Sequence, residues 1–275
     1  MNRIVKWFTA FSLTLLLVTT SFISVAGTQQ DVARSSVIET IKKRGYMKVG
    51  ISLFVPWSMR DKKGELIGFE VDVAQKLADD MKVEVEFVPV SWDGIIPALV
   101  SGKFDVIISG MSITPERNLT VNFSDPYAFS GLKIIANKAM TKGFTLEDFN
   151  SDSVTFSARR GATTANTIQQ MFPKARLLQF DEEAATLQEV LNGKAHATMG
   201  SEPFPSTEVA KNPETLTIPT DQIFSKAAEA FALRKGDPDA LNFFNNWIAI
   251  NHRNGFLKAR HDHWFTTTDW EDQVK

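Results

Sequence analysis

Arg117 stands where a cation is electrostatically out of place. Thr114 suits a helix N-cap and Pro115 the first helical position, so Arg117 falls on the first turn, beside the positive end of the helix dipole. An anion bound there offsets that cost. Just upstream, the apolar run Val106-Ile107-Ile108 ends in Ser109-Gly110-Met111-Ser112, a polar turn whose N–H groups and hydroxyls point outward. Gly110 and Ser112 leave space for close approach to the backbone, and a guanidinium can grip a carboxylate through two parallel, charge-assisted hydrogen bonds. The stretch Ser109 to Tyr127 is therefore expected to cradle a carboxylate ligand. The competing reading of Arg117 is a solvated surface charge or a structural salt bridge.

Alternating strands and helices must position this cradle. Met47 to Ile51 reads as a strand, and Gly68-Phe69-Glu70-Val71-Asp72 opens an amphipathic helix with apolar residues at Val71, Ala74, Leu77, Ala78 and Met81. Val83 to Val90 alternates as a half-buried strand, Ile95 to Val100 is helical, and Phe104 to Ile108 is the strand that feeds the cradle. A strand from Leu132 to Ala136 leaves this unit. A second unit begins at Val154 to Ser157, turns at Arg159 to Thr164, and continues through the helices Ala165 to Met171 and Glu182 to Leu191 to the strand Ala195 to Met199. In both units a Gly-Lys turn (Gly102-Lys103, Gly193-Lys194) feeds a strand that ends in a polar loop, Ser109 to Ser112 in one and Gly200 to Glu202 in the other. A long helix from Pro238 and a final amphipathic helix from Phe256 to Phe265 close the chain. The class is α/β. Phe54 and Trp57 flank Pro56 on a loop, and two exposed aromatics there suggest a pocket wall.

Composition narrows the function classes. Among 275 residues, 30 basic side chains nearly balance 32 acidic ones, which gives no argument for nucleic acid or an anionic membrane. There is no cysteine, so disulfides, thiol catalysis, cysteine zinc sites and a lipid on an N-terminal cysteine are excluded. Met1-Asn2-Arg3 and Lys6 precede an apolar stretch from Trp7 to Ile23 and then Ser24-Val25-Ala26, which reads as a signal peptide over residues 1–26. The expected product is an exported, soluble periplasmic protein. No phosphate-binding Gly-Lys-Ser/Thr loop occurs, and His261 and His263 lie two apart on a helix, facing different directions, so neither cofactor nor metal is expected.

Several motifs in order resemble the family 3 bacterial extracellular solute-binding proteins, the polar amino-acid receptors of ATP-binding-cassette importers. They are Gly68 to Asp72, Trp92-Asp93-Gly94-Ile95-Ile96-Pro97-Ala98-Leu99, Gly102-Lys103-Phe104-Asp105, the cradle through Pro126-Tyr127, and Gly255 to Trp264-Phe265. The resemblance implies a two-lobed type II periplasmic binding protein fold with two hinge strands and a ligand cleft between lobes. Lobe 1 would be residues 37–135 plus 231–275, and lobe 2 residues 137–229. Carried over residue by residue, Phe54 and Trp92 would sandwich the ligand, with Trp57 close by in sequence. Gly110, Ser112 and Arg117 would hold an α-carboxylate, Thr163 would add donors from lobe 2, and Arg159 would act in side-chain selectivity. Implied partners are a small carboxylate-bearing ligand, most readily an amino acid, and an inner-membrane permease; a monomer is expected.

The sequence departs from the family pattern where relatives place an aspartate for the ligand ammonium. That position is Ser201 here, with Glu202 beside it. Either Glu202 takes the role by a one-residue shift, or the ligand lacks an α-ammonium group. The same fold also hosts exported cyclohexadienyl dehydratases, which place a glutamate acid three residues beyond the aspartate position. Here that position is Phe204, which cannot donate a proton, leaving Glu202 or His196 as nominees. The expectation is a binding protein, not an enzyme.

Overall fold

The computed structural model describes residues 36–274; the signal-peptide reading of residues 1–26 lies outside them. Eleven strands are labelled in chain order: β1 Tyr46–Ile51, β2 Met59–Arg60, β3 Leu66–Ile67, β4 Glu84–Pro89, β5 Val106–Ile107, β6 Asn122–Asn137, β7 Thr155–Arg159, β8 Arg176–Phe180, β9 Ala197–Ser201, β10 Leu216–Thr217 and β11 Lys226–Leu233. Nine of them form one sheet in the order β4-β1-β5-β11-β6-β9-β7-β8, with β10 on β6, while β2 and β3 form a separate hairpin. At one end β4, β1 and β5 run parallel; at the other, β8, β7 and β9 do the same. The antiparallel strands β11 and β6 join these two arms. This is a two-lobed α/β fold whose lobes share two continuous strands.

The segment expected to begin a strand at Leu132 belongs to a single 16-residue strand, β6. Its first part pairs with β11 through Gly131, and from Leu132 onward it pairs with β9. Pro126 interrupts neither pairing, because it lies opposite Ala230 at a register shift where a missing N–H is tolerated. The helix Phe204–Lys211 has no counterpart among the elements expected from the sequence: a proline in its first turn and a polar run hide its weak periodicity.

Each arm has its own core. In the first, Phe69, Val73, Ala74, Leu77 and Ala78 of the helix Phe69–Met81 are fully buried against β1, β5 and the helix Pro238–Arg253. That spacing follows one helical face. In the second, Phe149, Phe156, Phe172 and Met199 pack together. Gly68 joins the first core to the aromatic loop. Its φ of +132° belongs to glycine, and a Cβ there would lie 2.5 Å from the Trp57 carbonyl. The backbone N–H of Glu70 donates to that carbonyl at 2.9 Å, which pins the loop Leu53–Ser58 over the start of the helix.

Candidate ligand-binding site

The cradle after β5 is tied down on three sides. Ser109 Oγ receives the N–H of Ser52 at 2.8 Å, which joins the loops that follow β5 and β1. Gly110, at φ +59°, donates its N–H to Tyr127 Oη at 3.1 Å, and Tyr127 in turn donates to the Glu70 carboxylate at 2.7 Å. Met111 and Ile113 pair with β11 through Ala230 N–H to Met111 O (3.1 Å) and Ile113 N–H to Ala228 O (2.9 Å). Trp57, expected on an exposed loop, is 3% exposed and packs on Phe69 and Phe265. It lies beneath the cradle: a Cβ on Gly110 would sit 3.2 Å from its ring.

Thr114 caps the helical turn as expected, its Oγ1 accepting the Arg117 N–H at 3.2 Å. The Arg117 guanidinium donates to Ser112 O (2.9 Å) and Gly161 O (3.1 Å). Among the described residues it has no carboxylate within ion-pair distance. Burial pushes its pKa down to about 10; Glu116 opposes the shift and Arg159 adds to it.

Arg159 reaches the same place from the C-terminal end of β7. It is 5% exposed, and its guanidinium lies 4.5 Å from the Trp92 ring centroid and 5.4 Å from that of Phe54. The Arg159 side chain thus already stands at both rings expected to sandwich a ligand. Its Nη1 donates to Leu53 O at 3.3 Å, and its Nε lies 3.1 Å from Glu183 Oε2 without forming a hydrogen bond. Burial lowers the arginine's pKa and raises that of Glu183, each opposed by the other's charge. Gly161 O also accepts the Trp92 indole N–H at 3.1 Å, so one carbonyl receives both Trp92 and Arg117 across the cleft. Thr163 opens the helix Thr163–Met171, whose N-cap, Ala162, supplies no side-chain acceptor, and the neighbouring Thr164 Oγ1 is buried and unpartnered. Exposed N–H groups at such a helix start attract anions.

Ser201 ends β9 opposite Leu132. Glu202 pairs with Lys133 of β6 at 2.9 Å and accepts from Ser206 Oγ at 2.7 Å, so its charge is already met. It lines an open groove of about 430 Å³ beside the two shared strands, together with Ser130, Lys226 and Phe265. His196 Nδ1 accepts the backbone N–H of Thr155 at 3.1 Å, at the far end of β7 from Arg159. Phe204 stacks edge-on against Phe54 with centroids 5.8 Å apart. No group of three or more potential ligands for a metal is found among the described residues, and none of the described helices is long and apolar enough to cross a membrane.

Gly161 and Glu183 lie beside the two arginines, and Glu229 lies opposite Ser112, although none of the three stands out in the sequence as a candidate. Gly161 gives no signal beyond its place in a turn. Glu183 looks like an ordinary first-turn acid. Glu229 leaves one signal, a lone carboxylate inside the apolar run Ala227 to Leu233, since buried acids occur where they have a partner or a task.

Two α/β lobes sharing two strands, with an arginine cradle and a helix start facing each other between them, are the architecture of a solute-binding protein with an interlobe cleft. The chain belongs to the bacterial extracellular solute-binding proteins, family 3, which it matches over residues 47–267. It is 30% identical over 238 residues to the L-cystine-binding protein of Escherichia coli (strain K12), covering 86% of this chain and 88% of that protein. It is 29% identical over 234 residues to the cyclohexadienyl dehydratase of Pseudomonas aeruginosa, covering 84% and 87% respectively. Among solved structures, an ancestral amino acid-binding protein described as a precursor of cyclohexadienyl dehydratase shares 37% identity. Its TM-score is 0.76, over 84% of this chain and all of that one.

Proposed function

We propose that this protein is a periplasmic receptor that captures a carboxylate-bearing solute, an α-amino acid by preference, and hands it to the permease of an ATP-binding-cassette importer. The observation that carries this reading is the charge count in the cleft. Two guanidiniums converge on Trp92, one carboxylate (Glu183) pairs with Arg159, and Arg117 is left with neutral carbonyls. A ligand carboxylate completes that set, with Ser112 and the N-terminus of the helix Thr163–Met171 as further donors, while Gly110, whose N–H is held by Tyr127, offers its carbonyl to a donor on the ligand. Residues 37–135 with 231–275 would form one lobe and 137–229 the other, so β6 and β11 would act as the hinge. Ligand contacts from both lobes would favour the closed state by their differential affinity.

Catalysis of the dehydratase kind has less support. At the position where the resemblance puts the acid stands Phe204, His196 accepts a backbone bond at the wrong end of β7, and Glu202 is paired with Lys133. The test is a thermal-shift screen of refolded protein against the proteinogenic L-amino acids, L-cystine, dicarboxylates and prephenate. A ligand at a hundredfold excess over its dissociation constant raises stability by about 2.7 kcal/mol. A shift with an amino acid is the expected result; turnover of prephenate in the same samples would overturn the reading.

A further inference from the structure

We propose that Glu229, on the shared strand β11, supplies the carboxylate that receives the α-ammonium group of the ligand. This rests on the amino-acid reading above. Glu229 is 2% exposed; its Oε1 accepts from Ser130 Oγ at 2.6 Å, while its Oε2 is buried without a hydrogen-bond partner. A buried acceptor left open in a folded protein asks for an explanation, and a ligand donor provides one.

The strand register places that oxygen. The bonds Ile113 N–H to Ala228 O and Ala230 N–H to Met111 O flank Ser112 and Glu229, which makes them a non-hydrogen-bonded antiparallel pair. In such a pair both side chains leave the same face and approach closely. Ser112 is also the residue whose carbonyl receives Arg117. A cation for a carboxylate and an acid for an ammonium group therefore meet at one residue, as recognition of a zwitterion demands. Ser130 lies on the same face, two residues beyond Ala128, the partner of Glu229 in β6. It also borders the groove beside the shared strands.

Three buried or half-buried acids near it already have partners. Glu70 takes the Tyr127 hydroxyl on both oxygens, Glu183 pairs with Arg159, and Glu202 pairs with Lys133. Burial pushes the Glu229 carboxyl up to about 7, opposed by the Ser130 hydrogen bond. An arriving ammonium group would hold it ionised. In this arrangement Glu229 takes the place of the missing aspartate at Ser201, from the shared strand β11 and not from the end of β9.

The experiment is calorimetric titration of refolded wild-type, Glu229→Gln and Glu229→Asp proteins. The probes are the proteinogenic L-amino acids and L-cystine, each beside its amine-free carboxylic acid. For whichever amino acids bind the wild type, Glu229→Gln is expected to weaken binding at least about tenfold, with Glu229→Asp falling in between. Wild-type preference for the amine-bearing member of each pair should shrink in Glu229→Gln. If Glu229→Gln does not fold, Glu229→Asp and the paired wild-type titrations carry the test. Amino-acid binding unchanged within about threefold in Glu229→Gln overturns the assignment while leaving the receptor reading intact. Should the wild type bind no α-amino acid at all, the reading beneath it falls as well.

Discussion

Arg117 and Arg159 both bring a guanidinium to Trp92, with the carbon 5.4 and 4.5 Å from the ring centroid, but their surroundings are opposed. Arg159 comes from β7 in the second arm and is nearly enclosed, with Glu183 at 3.1 Å and the Leu53 carbonyl beyond it. Arg117 comes from a single helical turn in the first arm and is met by carbonyls alone. Partial dipoles can hold a guanidinium, yet they leave its net charge in place. The pair teaches where a ligand anion belongs: an arginine with a buried carboxylate is already a structural element, whereas one held by neutral groups retains affinity for an anion.

The largest test of this contrast is Glu183→Gln. It would leave the Arg159 cation buried and unpaired, and breaking a buried pair from one side costs about 3–5 kcal/mol. Denaturant unfolding without ligand should show that loss. An unchanged midpoint would mean that Arg159 is not held by Glu183 and is as available to ligand as Arg117.

Arg117→Ala should behave in the opposite way, with little change in the unliganded unfolding midpoint and a large change in binding. Removing a charge-assisted, partly buried contact costs about 1.5–3 kcal/mol, a tenfold loss of affinity or more. Titration with any amino acid that binds the wild type measures it. Wild-type affinity in this variant would break the comparison, since it would put the carboxylate elsewhere.

The sequence disclosed these two arginines unequally. Arg117 was legible because its setting is local: Thr114, Pro115 and the polar turn are all within eight residues, and the cap formed as expected. The alternation of strands and helices likewise reported the two α/β units, because each helix buries one periodic face. What stayed hidden depends on long-range pairing. That β6 runs unbroken through both arms, that Glu229 sits opposite Ser112, and that Arg159 reaches Phe54 and Trp92 are matters of register and approach between segments far apart in sequence. Trp57 shows the same limit in the other direction, since a loop next to a proline reads as exposed, yet its ring is buried beneath Gly110 by the docking of Phe265.

The remaining test concerns what holds the Arg117 cradle and not the arginine itself. Gly110 hangs from Tyr127, and Tyr127 from Glu70, which is fully buried. Burial pushes the Glu70 carboxyl up to about 8, with Tyr127 opposing and Glu229 adding to the shift; Tyr127 is itself raised, first by burial and then by Glu70. Because the folded value lies above the ordinary carboxylate value, the native state keeps a proton across that window that the unfolded chain has lost. Stability then falls as pH rises from about 4.5 towards 8, by at most about 1.4 kcal/mol per unit for this one proton. In Glu70→Gln the neutral amide can still accept from Tyr127, so the slope should flatten while the cradle and amino-acid affinity at low pH persist. The measurement is the denaturation midpoint of both proteins across that range without ligand. An undiminished slope in Glu70→Gln would transfer the proton to Glu229, whose own raised carboxyl acts in the same direction, and would make the hinge acid, not the acid beneath the cradle, the source of the pH dependence.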